Sequence, residues 1–183
     1  MKTTDKTLLL NRLADKVDLH LQSATRDFQN LPDQILLKSP NSGSWSAAQC
    51  MEHLNQYGNY YLPQIENALL RASTAKPDDP FRSTWLGSYF TRMMDPESGK
   101  RKVKTFKEYI PEPDLEPHQV VAEFIQQQEK LLHYIRQARS ANLNARIPIS
   151  LTNWIRLRLG DVLQFVVAHD DRHIRQAKRA LEA

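Results

Sequence analysis

Apolar residues return every three or four positions through Leu10, Leu13, Val17, Leu21, Ala24 and Phe28, a spacing that fits one face of a helix and no strand. It predicts a long amphipathic helix over 5–29, whose stripe must be buried against other elements. The same period recurs three more times. Met51, Leu54, Gly58, Tyr61, Ile65 and Leu69 mark a second helix running to about residue 72. Its start carries local signals: Ser46 and Gln49 form a capping box, and Trp45 and Cys50 stand where a hydrophobic staple closes. Pro63 lies inside it and predicts a bend near Tyr60. Val121, Phe124, Gln128, Leu131, Leu132 and Ile135 form a third stripe, opened by Pro117 at a position suited to proline and ending near Ser140. After an irregular link, NARIPISLTNWIRLRLG (144–160), Gly160 and Asp161 start a fourth helix that runs to about Leu181.

Between the second and third helices, residues 73–116 break the pattern with Pro77, Pro80, Pro96, Pro111 and Pro113. They read as a long connection with one short helix at 83–94. There Trp85, Leu86, Tyr89, Phe90, Met93 and Met94 place large apolar groups outside the four stripes. Such a patch either lids the rest of the chain or meets a second subunit. Four long helices sharing one core make an all-α four-helix bundle. A length of 183 residues suits a single domain, 1–183, with enough chain to bury a real core.

Several function classes fall away. Five glycines against ten prolines leave no phosphate loop and no dinucleotide fingerprint. The single Cys50 excludes an intrachain disulfide and a cysteine-based zinc ribbon, and fits a reducing cytoplasm. The first residues lack the apolar core of a signal peptide, and no stretch has the length of a membrane span. A net charge of +4 invites a nucleic-acid reading, and the basic residues do cluster in GKRKVKTFK (99–107). That run lacks the spaced aromatic residues of a stacking platform, and no recognition motif accompanies it. The expectation is a cytoplasmic chain with no membrane partner and no specific nucleic-acid partner.

The histidines carry the chemistry. At about 100° per residue, Val162, Val166, His169, His173, Ala177 and Ala180 share one face of the fourth helix. His169 and His173 therefore sit in the middle of an inward stripe, where leucine or isoleucine is the default. A lone histidine there is most simply a hydrogen-bonded core residue. Two of them one turn apart, followed by small alanines, leave room for an ion and a substrate. His53 lies on the polar flank of the second helix beside Ser46, Gln49, Tyr57 and Tyr60, about 100° from the centre of its apolar stripe. His20, His118 and His133 read as structural or solvated.

A second helix opening with Trp45–Ser46 and carrying His53, joined to a last helix bearing HDDRHIRQ (169–176), resembles the DinB/YfiT-like superfamily. The resemblance covers all four helices, with 73–116 in the expected place between the second and third. It implies a four-helix bundle with a three-histidine metal site formed by His53, His169 and His173. It also implies thiol-dependent S-transfer or isomerisation, or metal-dependent hydrolysis, and a homodimer, since relatives often pair.

Three neutral imidazoles suit a borderline divalent ion such as zinc, nickel or iron and leave at least one position open. There an ion can lower the pKa of a thiol or water, or polarise a carbonyl. Cys50, one turn before His53, is a candidate fourth ligand, but a lone helical cysteine usually acts as a small buried hydrophobe. HDDRH also spaces its histidines as a zincin does. Asp170 replaces the zincin glutamate, however, and no third ligand stands at the zincin position, so a metalloprotease is not supported. Asp170 and Gln176 are better placed to orient ligand imidazoles or a bound water, with Gln49, Tyr57 and Tyr60 lining the pocket. Two functions follow. One is an enzyme activating a thiol or water against a small electrophile, with a low-molecular-weight thiol as cosubstrate in the transferase version. The other is a non-catalytic metal-binding or stress-response module.

Overall fold

The computed structural model of the chain describes residues 3–76, 79–98 and 105–183. Residues 99–104, most of the basic run, lie outside them. The chain is mostly helical. The first helix, α1 (Lys6–Ser23), is capped by the Asp5 side chain, which accepts from the Leu8 amide at 2.7 Å. A π-helical turn, Ala24–Phe28, extends it, so the predicted stripe stays buried from Leu10 to Phe28 except at half-buried Leu21. After the short α2 (Asp33–Leu36) comes α3 (Ala47–Arg71). Its start is the predicted capping box, with the Gln49 amide donating to Ser46 Oγ and the Ser46 amide to Gln49 Oε1. The helix continues through Pro63. Pro63 and Asn59 both lie on its exposed side, where water can take the carbonyl that the missing N–H leaves free.

The 73–116 segment contains α4 (Trp85–Met94), N-capped by Thr84. A short strand before it, β2 (Pro80–Arg82), pairs antiparallel with β1 (Thr3–Asp5). Next, α5 (Pro117–Gln137) carries Pro117 in its first turn and buries all six predicted core residues. The link before the last helix is not irregular. Residues β3 (Arg146–Ile149) and β4 (Thr152–Arg158) form an antiparallel hairpin pairing Ile147 with Leu157. Ile147, Ile149 and Leu157 are buried while Arg146 and Arg156 are exposed, the alternation of a half-buried strand pair. The last helix is α6 (Leu159–Leu181).

Helices α1 and α3 each pack against both α5 and α6. Their apolar residues form two clusters stacked along the helices. One contains Val17, Tyr57, Leu131 and Val166; the other contains Ala24, Leu54, Phe124 and Ile174. Buried polar residues fall at the junction on every long helix: His20 on α1, His53 and Asn55 on α3, Gln127 and Gln128 on α5, and His169, Asp170 and His173 on α6. A polar layer thus crosses the core. Such a layer persists only where its members satisfy one another or hold something else.

Candidate metal centre

The polar layer brings the three predicted histidines together. His53, His169 and His173 are all buried, and one ligand-capable atom from each lies within 4.8 Å of the others. Helix α3 delivers His53, and one turn of α6 delivers the other two on the same face. His53 Nε2 and His169 Nε2 are 3.2 Å apart. On its other side, His53 Nδ1 donates to the Tyr109 carbonyl at 2.7 Å, which fixes the tautomer and leaves the Nε2 lone pair aimed at its neighbours.

Burial keeps these imidazoles neutral. It pushes His53 down to about 4, against the opposing effect of the Tyr109 carbonyl. It pushes His173 to about 3, with His53 and Arg172 acting in the same direction. His169 is held well below its ordinary value by burial first, then by His173 and His53. Neutral imidazoles present lone pairs, which a divalent cation requires. The Nδ1 of His173 is buried with no hydrogen-bond partner, an orphan that an ion or its ligand sphere would satisfy. The donor set is all nitrogen, so these residues fit a borderline ion such as zinc, nickel or iron.

Aromatic rings hold the imidazoles in place. Tyr57 lies 4.5 Å from His169 and 5.0 Å from His53, ring centre to ring centre. Trp45 stacks on His173 at 5.8 Å, and Phe165 on His169 at 5.7 Å. The cluster opens onto a cavity of about 1030 Å³ walled by α3, α4, α6 and the hairpin. Tyr89, Phe90, Met93 and Met94 of α4 line it, Tyr89 at its open rim, whereas Trp85 is largely exposed on the same helix and does not line it. The predicted short helix is therefore a cavity wall on one face.

The other predicted site residues divide. Tyr57 and Gln176 line the cavity, with Gln176 one turn beyond His173 on α6. Gln49 and Tyr60 do not line it. Gln49 is committed to the capping box, and the Tyr60 hydroxyl donates to the Ile149 carbonyl at 3.0 Å, tying α3 to the hairpin. Asp170 faces away from the imidazoles: its carboxylate accepts from Gln128 Nε2 at 2.8 Å, and Gln128 Oε1 lies 3.4 Å from His20 Nδ1. Burial raises Asp170 to about 7 and lowers His20 to about 4. Cys50 is buried outside the cavity lining with its thiol pushed up to about 12, a protonated group rather than a ligand.

Sequence reasoning did not identify Tyr109, Phe165, Arg172 or Arg179 at the site. Phe165 stands four residues before His169 and Arg172 three after it, a spacing that could have found both. Tyr109 acts through a backbone carbonyl and has no side-chain signature. No helix among the described residues is long and apolar enough to cross a membrane. The family model of the DinB superfamily matches residues 18–177, which contain all three histidines. Comparison with curated proteins and with solved structures gave no match.

Proposed function

The chain belongs to the DinB superfamily, and on that premise we propose that it is a metal-dependent enzyme of one domain built as a four-helix bundle. His53, His169 and His173 would hold a divalent ion, and the cavity would admit a small electrophile with the thiol or water that attacks it. The observation that carries this reading is the buried three-histidine cluster at the wall of a large cavity. When bound, the ion supplies a Lewis acid that favours the deprotonated nucleophile.

The chain's own residues do the rest. The Tyr109 carbonyl keeps the proton of His53 on Nδ1, so Nε2 stays available. Trp45, Tyr57 and Phe165 pack against the imidazoles, fix their orientation and exclude bulk water. Gln176, one turn beyond His173 on the cavity wall, offers a neutral polar group to a bound nucleophile or substrate. Asp170 positions the ligand-bearing turn of α6 through Gln128 and takes no part in the reaction. Thiol S-transfer and hydrolysis of a small amide or ester are the two reactions this arrangement suits.

The alternative is a non-catalytic metal-binding or stress-response module, which a filled core around the histidines would favour. The open cavity beside them favours the enzyme. The reading includes a reducing cytoplasm and a homodimer, for which exposed Trp85 and Tyr89 are the residues a second copy would cover. Light scattering across a concentration series tests the dimer. For the enzyme, protein loaded with zinc, nickel or iron is assayed against a panel of thiols with electrophiles, and of amides and esters. Faster turnover by loaded protein supports the reading. Equal rates with and without metal across both panels favour the module.

A further inference from the structure

The cavity has one feature that the reaction class does not require. Among its described lining residues there is no aspartate or glutamate, while two arginines of α6, Arg172 and Arg179, contribute to the wall. Both guanidiniums act electrostatically on His173, which places their charge beside the histidine cluster. Arg172 also donates to the Met93 carbonyl at 3.3 Å, holding the end of α4 against α6. Arg179 is exposed towards the solvent side. Arginine stays protonated at any working pH. Three neutral imidazoles would leave a divalent ion's charge uncompensated, and no lining carboxylate offsets it. The wall facing the arginines from α3, α4 and the start of α6 is aromatic and apolar, with Tyr57, Tyr61, Phe90, Met93 and Phe165, while Ser44, Thr105, Ser150 and Gln176 add neutral polar groups elsewhere.

The aromatic wall strengthens the field of half-buried Arg172, while exposed Arg179 stands where an entering anion meets it first. A neutral electrophile gains nothing from this charge. A bare anion gains from the charge but leaves a cavity of about 1030 Å³ unfilled. Only a ligand with both parts uses the whole site. Resting on the metal-site reading above, we infer that the substrate is a small amphipathic carboxylate. Its aryl or alkyl body packs on the α3–α4 aromatic wall, and its carboxylate is held by Arg179 at the end of the cavity that Arg172 also makes positive. A planar carboxylate matches the guanidinium fork of Arg179.

The test is calorimetric binding to unmodified and Arg179→Gln protein, each zinc-loaded and metal-free, with 3-phenylpropionate, 3-phenylpropanamide and acetate as probes. Metal content is measured on the same samples. The acid is expected to bind at least about tenfold more tightly than the amide of the same shape, and more tightly than acetate. Arg179→Gln is expected to remove most of the acid's advantage while leaving amide affinity unchanged. Equal affinity for acid and amide, equal affinity for acid and acetate, equal losses for both in the variant, or no binding at all would each overturn the inference. Failure to take up zinc would overturn the metal reading instead, and the gap between acid and amide in metal-free protein then judges the carboxylate assignment by itself.

Discussion

His53 Nε2 and His169 Nε2 stand 3.2 Å apart, though 116 positions separate them in the chain. The Tyr109 carbonyl holds the His53 proton on the far side of the ring, so a nitrogen lone pair faces another imidazole inside the core. Shared coordination of a cation would resolve that juxtaposition, and the structure surrounding it leads to the following expectations.

Gln128 is the hinge of the buried chain joining His20 to Asp170. Replacing it with leucine keeps the volume and strips both neighbours of a partner. Gln128→Leu is expected to lower unfolding free energy by about 2–3 kcal/mol in urea titrations. A loss no larger than that of an ordinary surface change, about 0.5 kcal/mol, would show that the chain is not stabilising.

Acid sensitivity follows from His20. Burial lowers its pKa from 6.5 to about 4, against the pull of Asp171 and the bond to Gln128. The unfolded chain therefore binds the proton first as pH falls. The contribution of His20 is complete above about 6.5 and is lost as pH falls towards about 4. His53 and His173 act in the same direction, while Asp170, raised to about 7, opposes them as pH rises. Comparison with His20→Gln isolates the one group. The stability advantage of the unmodified protein should shrink by about 2 kcal/mol between pH 7 and pH 5. Parallel stability curves would contradict it.

Helix α4 is tethered at its start. Asp161 Oδ2 accepts from the Thr84 amide at 3.1 Å and its hydroxyl at 2.8 Å, and Gly87 lies so close that any Cβ would run into the Asp161 side chain. Gly87→Ala is expected to cost about 1–3 kcal/mol and to speed proteolytic cleavage near the cavity wall. Unchanged cleavage would mean that α4 is held elsewhere.

Much of this was legible in the sequence, and the misses have two causes, contacts distant in the chain and one masked local alternation. The four stripes, the capping box and the helix start at Pro117 are local, and these signals were read correctly. His53, His169 and His173 stood out because polar residues displaced apolar ones on inward faces or beside a polar flank. Gln49 and Tyr60 were assigned to the pocket from the same flank. A helical wheel gives direction but not what lies opposite, and for Tyr60 that is the Ile149 carbonyl. The hairpin was missed because Pro148 and the arginines around it masked a short alternation. Tyr109 reaches His53 through a backbone atom 56 residues away, which no residue type announces.

Cys50 separates the three-histidine site from one with a sulfur ligand. Its buried, protonated thiol predicts that Cys50→Ala leaves metal content and metal affinity unchanged. A fall in zinc affinity of about tenfold or more would add sulfur to the ligand set.

The central claim is tested most directly by metal content per chain, measured by mass spectrometry on protein purified without an affinity tag or chelator, beside His53→Ala, His169→Ala and His173→Ala. The result expected is close to one divalent ion per chain in the unmodified protein and a large loss in each variant, with helix content by circular dichroism nearly unchanged. Folded unmodified protein that takes up no ion, or variants that hold metal as well as it does, would contradict the claim.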